Sequence, residues 1–455
     1  MMPPIPFAAF LRHTCAVAGR GTRSVLLLAV QSVGGPIFAA TAIWLLLPVA
    51  YSPAGEGTEF DGQRSEDSEP ELNVSIAEFH RLPCNDCDGL AMADLTGNGR
   101  VDLLMSNGKG GETFWYEQAD TPQNWTRHTI HTIDSPRREI EGNDLGDFNG
   151  DGRMEAVSLD QKNGVIYLHV QGDDPRGAWR TSAIVKDRPL LQASLVTDID
   201  GDGRSDLVFT WEGDAKGRGG VHWLRLDGDD PLEPTHWSEH VMVVHESAWW
   251  LAARRVDLSG DGRDVEIVFS ARNIKSRNPG ARPGVFWLQP PADVTQTWTR
   301  HTIDDSLDHP LHVDLGDFSG DGHGKDVVVG GFNTEQVHWY RFADDWRRYS
   351  LQVPLVDGVQ PDRVWNVKTA RLGGTRDGIL APVCRGPRGA LVYFEFTGER
   401  HEANVLRKID YGHPMDDRIL LHDIDGNGME EAFLPDSGTG NSSFVWIRFQ
   451  RRPDR

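Results

Sequence analysis

Six stretches of the chain place oxygen-bearing side chains at alternate positions around a glycine: ADLTGNGRVD (93–102), GDFNGDGRME (146–155), TDIDGDGRSD (197–206), VDLSGDGRDVE (256–266), GDFSGDGHGKD (316–326) and HDIDGNGMEE (422–431). In each, the first, third and fifth loop positions carry Asp, Asn, Ser or Thr, the sixth is Gly, and a carboxylate closes the loop. Alternate side chains of a tight turn point inward, and hard oxygen donors in that arrangement suit Ca²⁺, which takes six to eight oxygens in a flexible shell. The candidate ligands are Asp94, Thr96, Asn98 and Asp102; Asp147, Asn149, Asp151 and Glu155; and Asp198, Asp200, Asp202 and Asp206. The later loops supply Asp257, Ser259, Asp261 and Glu266; Asp317, Ser319, Asp321 and Asp326; and Asp423, Asp425, Asn427 and Glu431. Up to six Ca²⁺ sites are expected, mainly structural. In the fourth and fifth loops the closing acid stands one residue late, and a seventh copy, ARLGGTRDG (370–378), keeps the hydrophobic frame but has lost its ligands.

The loops recur every 51–60 residues, and two further patterns recur with them. One is an apolar triplet centred on Trp115, Tyr167, Trp223, Trp287, Trp339, Tyr393 or Trp446. The other is W-x-x-H-x-I or a relative, as at Trp125/His128/Ile130 and Trp298/His301/Ile303. Each repeat therefore reads as four short strands, with β-prone sequence such as VDLLMS directly after the acidic loop. Repeats of this length with four strands apiece predict propeller blades. The last repeat ends before its fourth strand, and a matching segment (Ala77-x-x-His80-x-Leu82) precedes the first. The expectation is an all-β, seven-bladed propeller of four-stranded blades over 73–449, its last blade closed by the N-terminal strand. Recurrence at one strand position marks His80, His128, His240 and His301 as packing residues.

These repeats resemble FG-GAP/VCBS-type repeats, the calcium-loop blades also found in the head of integrin α-subunits. The resemblance covers about 375 residues of the 455. It implies a propeller with Ca²⁺ sites in hairpins on one face. It implies no substrate, since that family spans adhesion proteins, lyases and dehydratases.

Residues 1–23 form a basic leader, and 24–50 an apolar run long enough to cross a bilayer, which needs about 20 residues. The run reads equally as a transmembrane anchor or as the core of a cleaved signal, so the propeller is expected to be secreted, periplasmic or outward-facing, and membrane-tethered if the run is not cleaved. Residues 51–72 read as an acidic disordered tether and 450–455 as a tail. Cys84-x-x-Cys87 lacks the following His of a haem site and any second CxxC for zinc, so a local disulfide is expected.

Lys and Arg total 46 against 68 Asp and Glu, a net charge of −22. That excess speaks against nucleic acid as a partner, although 18 of the carboxylates are candidate metal ligands. Ligand contacts are expected on the opposite face. Trp211, Trp249, Trp250 and Trp365 fall in its connections, outside the two recurring Trp positions. The B–C connections hold ten basic residues, Arg277 and Arg282 among them, against six acids. A ring at the channel mouth would add His309, His312, Arg363 and Arg418. Aromatics suit stacking on sugar rings, and guanidinium groups suit anions. The leading expectation is a non-catalytic binding or interaction module for glycan, including anionic glycan, or protein. The alternative is a carbohydrate-active enzyme, of the polysaccharide lyase or sugar dehydratase type, using the channel-mouth residues. No nucleophile, zinc, phosphate-loop or dinucleotide motif is present.

Overall fold

The computed structural model describes residues 74–84, 86–121, 123–213, 218–244, 248–252, 257–263, 265–272, 282–397, 400–410, 418–436 and 443–451. The expected leader, apolar run and tether, up to residue 72, lie outside them. Among the described residues no helix is long and apolar enough to cross a membrane, so the expected membrane or signal segment has no counterpart there.

After β1 (Val74–Pro83) the chain forms successive antiparallel sheets. The first holds β2 (Cys87–Ala93), β3 (Asp102–Asn107), β4 (Glu112–Gln118) and β5 (Trp125–Thr132). The second holds β6 (Ile140–Gly146), β7 (Glu155–Asp160), β8 (Val165–Val170) and β9 (Arg180–Val185). The third holds β10 (Leu191–Thr197), β11 (Asp206–Trp211), β12 (Gly220–Leu226) and β13 (Trp237–Val244). The fourth holds β14 (Ala248–Ala252), β15 (Ile267–Ala271), β16 (Gly284–Gln289) and β17 (Thr299–Asp304).

Then come β18 (Pro310–Gly316), β19 (Asp326–Phe332), β20 (Gln336–Arg341), β21 (Arg347–Gln352), β22 (Arg363–Val364), β23 (Lys368–Ala370), β24 (Gly378–Arg385), β25 (Arg388–Thr397) and β26 (Arg400–Asp410). These nine share one sheet. The last sheet joins β27 (Leu420–His422), β28 (Glu431–Asp436) and β29 (Ser443–Arg451) to β1.

The propeller therefore has five four-stranded blades, not the seven predicted. The difference lies in β22. Val364 pairs with Gly331 of β19 on one side and with Val383 of β24 on the other, so two residues use both edges of their strand and fuse the neighbouring repeats into one sheet. Nothing in the local sequence signals that bridge, because it depends on two distant edges meeting.

The second strand of each repeat is buried on both faces: every residue of β7, β11 and β15 is buried, and all but the last of β3 and β19. Strands covered on both sides read as near-continuous apolar runs, which is why VDLLMS and DLVFTW show no alternation. The fourth strands are half-exposed and carry the recurring His. Trp115 stacks on His128 at 4.5 Å, Trp223 on His240 at 4.6 Å and Trp287 on His301 at 4.0 Å. In the last sheet the register His80↔Trp446 sets His80 against Trp446 at 4.6 Å, so β1 brings to that sheet the pair made elsewhere within one repeat.

The first strands pack around a centre in the order β27, β2, β6, β10, β14, β18, β23. Arg418, just before β27, reaches across it. Its guanidinium donates to the Asn143 carbonyl at 2.7 Å, to the Ser194 carbonyl at 2.7 Å and to Ser194 Oγ at 2.8 Å. It also pairs with Asp144 at 3.2 Å.

Candidate functional site

Each acidic loop joins the end of a first strand to the start of a second, and the strand register fixes which residues face one another. Ala93 pairs with Asp102, Gly146 with Glu155, Thr197 with Asp206, Gly316 with Asp326 and His422 with Glu431. The next residue is the first candidate ligand. Its carboxylate accepts the N–H of the glycine five residues on: Asp94 from Gly99 at 2.7 Å, Asp198 from Gly203 at 3.0 Å, and Asp423 from Gly428 at 2.8 Å. Gly203 has φ +86°, a left-handed value that a side chain would strain.

The closing carboxylate is buried in all six loops: Asp102, Glu155, Asp206, Glu266, Asp326 and Glu431 are at most 3 % exposed. Each accepts the N–H seven residues back, from Leu95, Phe148, Ile199, Ser259, Ser319 and Ile424 respectively. This settles the one-residue displacement in the fourth and fifth loops. The closing acid moves by one, and the N–H it captures moves with it.

Burial pushes Asp102 up to about 6, Glu155 and Glu431 to about 7 and Asp206 to about 8; neighbouring carboxylates add to the rise, and burial also raises Asp326. Such crowding of buried acids is relieved by a cation. In three loops (Asp198, Asp200 and Asp206; Asp257, Asp261 and Glu266; Asp423, Asp425 and Glu431) the acids bring oxygens within 4.8 Å of one another. Two buried oxygens, Glu266 Oε2 and Asp317 Oδ1, have no hydrogen-bond partner. The donors are all oxygen and two buried lone-pair sites are unsatisfied, so the loops fit a hard divalent cation. The 370–378 copy does not fit. Ala370 pairs with Gly378, which puts Arg371 where the other copies have their first Asp, and its guanidinium meets Asp377 at 2.8 Å.

Residue types after the glycine add a brace. Arg153 and Arg263 donate to Asp151 and Asp261 of their own loops and to carbonyls of the next hairpin, Gly172 and Pro291 respectively.

At the other end of the strands the expected ligand residues divide. Trp211 is 2 % exposed, its indole N–H donating to His222 Nε2 at 3.0 Å, so it offers no stacking face. His312 is also buried; its Nδ1 bonds the Trp365 carbonyl at 2.6 Å, and burial pushes its pKa down to about 3. Arg418 belongs to the centre described above. Arg282 is exposed, Arg277 lies outside the described residues, and Trp249 and Trp250 are placed on β14 without described side chains. Four of the seven described basic residues of the expected face pair with acids. Lys109 pairs with Asp86 at 2.8 Å, Lys162 with Glu139 at 2.5 Å, Arg385 with Asp362 at 3.5 Å, and Arg272 with Glu212.

Three expected residues do converge, around β22. Arg363 lies over Phe332 at 5.5 Å and Trp365 at 5.7 Å, the two rings meet edge to face at 4.8 Å, and His309 stands 6.4 Å from Phe332. All four are half-buried. No carboxylate pairs with Arg363 among the described residues; the two aromatic rings hold it instead. Phe332 was missed from sequence; its position at the end of β19, beside the Gly331 that β22 pairs with, is the signal that would have found it.

Fold and loops together define a β-propeller with metal-capable acidic hairpins. The FG-GAP-like repeat profile matches residues 94–180, which contain the first two loops. The chain is thus a β-propeller that is similar to FG-GAP-like repeats over residues 94–180. No curated protein matches the sequence. Solved structures similar to it include the Dos1 propeller, at 9 % identity and TM-score 0.47, covering 82 % of this chain and 95 % of that one. Another is a PQQ-bound aldose sugar dehydrogenase from Streptomyces coelicolor, at 12 % identity and TM-score 0.39, covering 83 % and 98 %. A third is a point variant of the α-L-arabinofuranosidase arb93a from Fusarium graminearum with an iminosugar inhibitor, at 10 % identity and TM-score 0.43, covering 69 % and 92 %.

Proposed function

We propose that this protein is a calcium-stabilised, extracytoplasmic binding module that takes an anionic glycan at the β22 cluster. The observation that carries the reading is Arg363, a guanidinium held over two half-buried rings with no acidic partner among the described residues. Arginine in that setting presents its donor fork to a carboxylate or sulfate, while Phe332, Trp365 and His309 supply faces and an edge for a sugar ring. β19 runs from the ligand Asp326 to Phe332, six steps of about 3.3 Å, so the cluster is about 20 Å from the metal end of its own strand. Calcium at the loops is then scaffold rather than chemistry: the acids fit it, and it would stabilise the folded state by mass action. The Cys84–Cys87 disulfide suits an oxidising compartment.

The test is retention of the full chain on immobilised acidic and neutral polysaccharides with Ca²⁺ present. Selective retention on acidic polymers, weakened about tenfold or more in Arg363→Ala and Trp365→Ala, is the expected result. Equal retention on both polymer classes, or variants that bind as the parent does, would refute it. Release of unsaturated sugar products would make the protein an enzyme instead.

A further inference from the structure

Several of the hairpin loops touch the loop of the preceding repeat, and where they do the register is the same. At four junctions the residue before the closing position meets the first loop residue of the preceding repeat. Ser205 N–H donates to the Asp147 carbonyl at 3.0 Å. Lys325 Nζ donates to the Asp257 carbonyl. Asp377 accepts the Asp317 N–H at 2.9 Å, and Glu430 accepts the Arg371 N–H at 2.7 Å while returning its own N–H to the Arg371 carbonyl at 3.3 Å.

The last two contacts share the metal-free copy and run without a break. From the fifth loop, Asp317 N–H reaches the Asp377 carboxylate, which the Arg371 guanidinium also holds; Arg371 N–H then reaches Glu430, the neighbour of the closing ligand Glu431 in the last loop. Asp377 is buried, so its charge needs a partner, and Arg371 supplies inside the chain what a metal ion supplies in the other loops.

We infer that the Arg371–Asp377 pair is a built-in cation bridge that couples metal binding at the fifth and last loops. Metal in the fifth loop fixes Asp317 and with it the orientation of Asp377 and Arg371; Glu430 and Glu431 are then held before the last loop fills. Ordering paid for at one loop is not required again at the other, which is positive coupling, and by linkage the effect is reciprocal. The first loop stands outside this chain of bonds: Met154 holds the corresponding position of the second repeat and packs in the apolar core.

Calorimetric titration of the full chain with Ca²⁺, combined with Tb³⁺ luminescence to count sites, tests the inference. Asp94→Asn should remove one site and leave the others unchanged. Asp317→Asn should remove one site and weaken a second about five-fold or more, within the usual span of coupling between sites, and Asp423→Asn should behave in the same way. Arg371→Gln should abolish that second effect, and Arg371→Lys, which keeps the charge, should retain much of it. Should Arg371→Gln not fold, Asp377→Asn serves in its place, with folding checked by circular dichroism. If Asp317→Asn costs one site and nothing more, or if its second effect survives Arg371→Gln, the bridge carries no coupling and the inference fails.

Discussion

Arg418 shows how one side chain can decide a centre. Its guanidinium satisfies two backbone carbonyls and Ser194 Oγ from β6 and β10, and it neutralises Asp144, whose burial otherwise raises its pKa. Arg418→Met would leave the half-buried Asp144 without its cation, at a cost of about 3 kcal/mol, the low end for a broken buried pair. Urea unfolding should show that loss, and Asp144→Asn in the same chain should recover part of it; an unchanged midpoint for the single variant would contradict the assignment. Histidines give the pH dependence. Burial pushes His169 and His312 down to about 3 and His338 to about 4. The unfolded chain protonates these groups near 6.5, so between those values it binds more protons than the folded chain. Their contribution is therefore complete above about pH 6.5 and falls as pH is lowered towards 3, by roughly 1.4 kcal/mol per pH unit for each histidine. His169→Gln, which keeps partners for Ser158 and Thr181, should flatten the acid limb of a stability–pH curve by about one proton. An unaltered slope would count against the buried neutral His169.

At the scale of elements, the acidic hairpin is the unit that sequence and structure describe in the same terms. Residue types at alternate positions, glycine at the turn and a terminal carboxylate were all legible in the sequence. The closing acid's second task was not, because the N–H seven residues back comes into reach only when the hairpin folds. The second loop residue ties the hairpin to the core: Leu95 packs with Trp115, Ile199 with Trp223, and Leu258 with Trp287. Loss of metal should therefore loosen the blade as well as the loop. Excess chelator is expected to lower the melting temperature, each occupied site having contributed about 2.7 kcal/mol at a hundredfold excess over Kd. Superimposable melts with and without Ca²⁺ would show that the loops need no ion. Ligand residues were less legible. Trp211, His312 and Arg418 stand at the expected connections, yet all three turn inward to polar partners. Position along a repeat indicates an end of the sheet, whereas exposure depends on what the neighbouring repeat presents.

For the molecule as a whole, closure rests on β1, which pairs with β29 from Val74↔Arg451 to Pro83↔Ser443. Removing residues 74–83 would leave β29 as a long unpaired edge with Phe444, Trp446 and Phe449 losing cover, a template for edge-to-edge association. Light scattering should find the shortened chain oligomeric or aggregated; a stable monomer would mean that closure does not depend on this strand. The sequence by itself determined the all-β repeat, its period, the oxygen-rich loops and the displaced strand that completes the last sheet, because each is written in local residue types and their spacing. Tertiary structure alone decided that two repeats fuse through β22, that four of the seven described basic residues of the expected face pair with acids, and that Arg371 meets Asp377 between two loops. Those outcomes depend on which distant edges and charges meet, and no local pattern encodes a meeting of that kind.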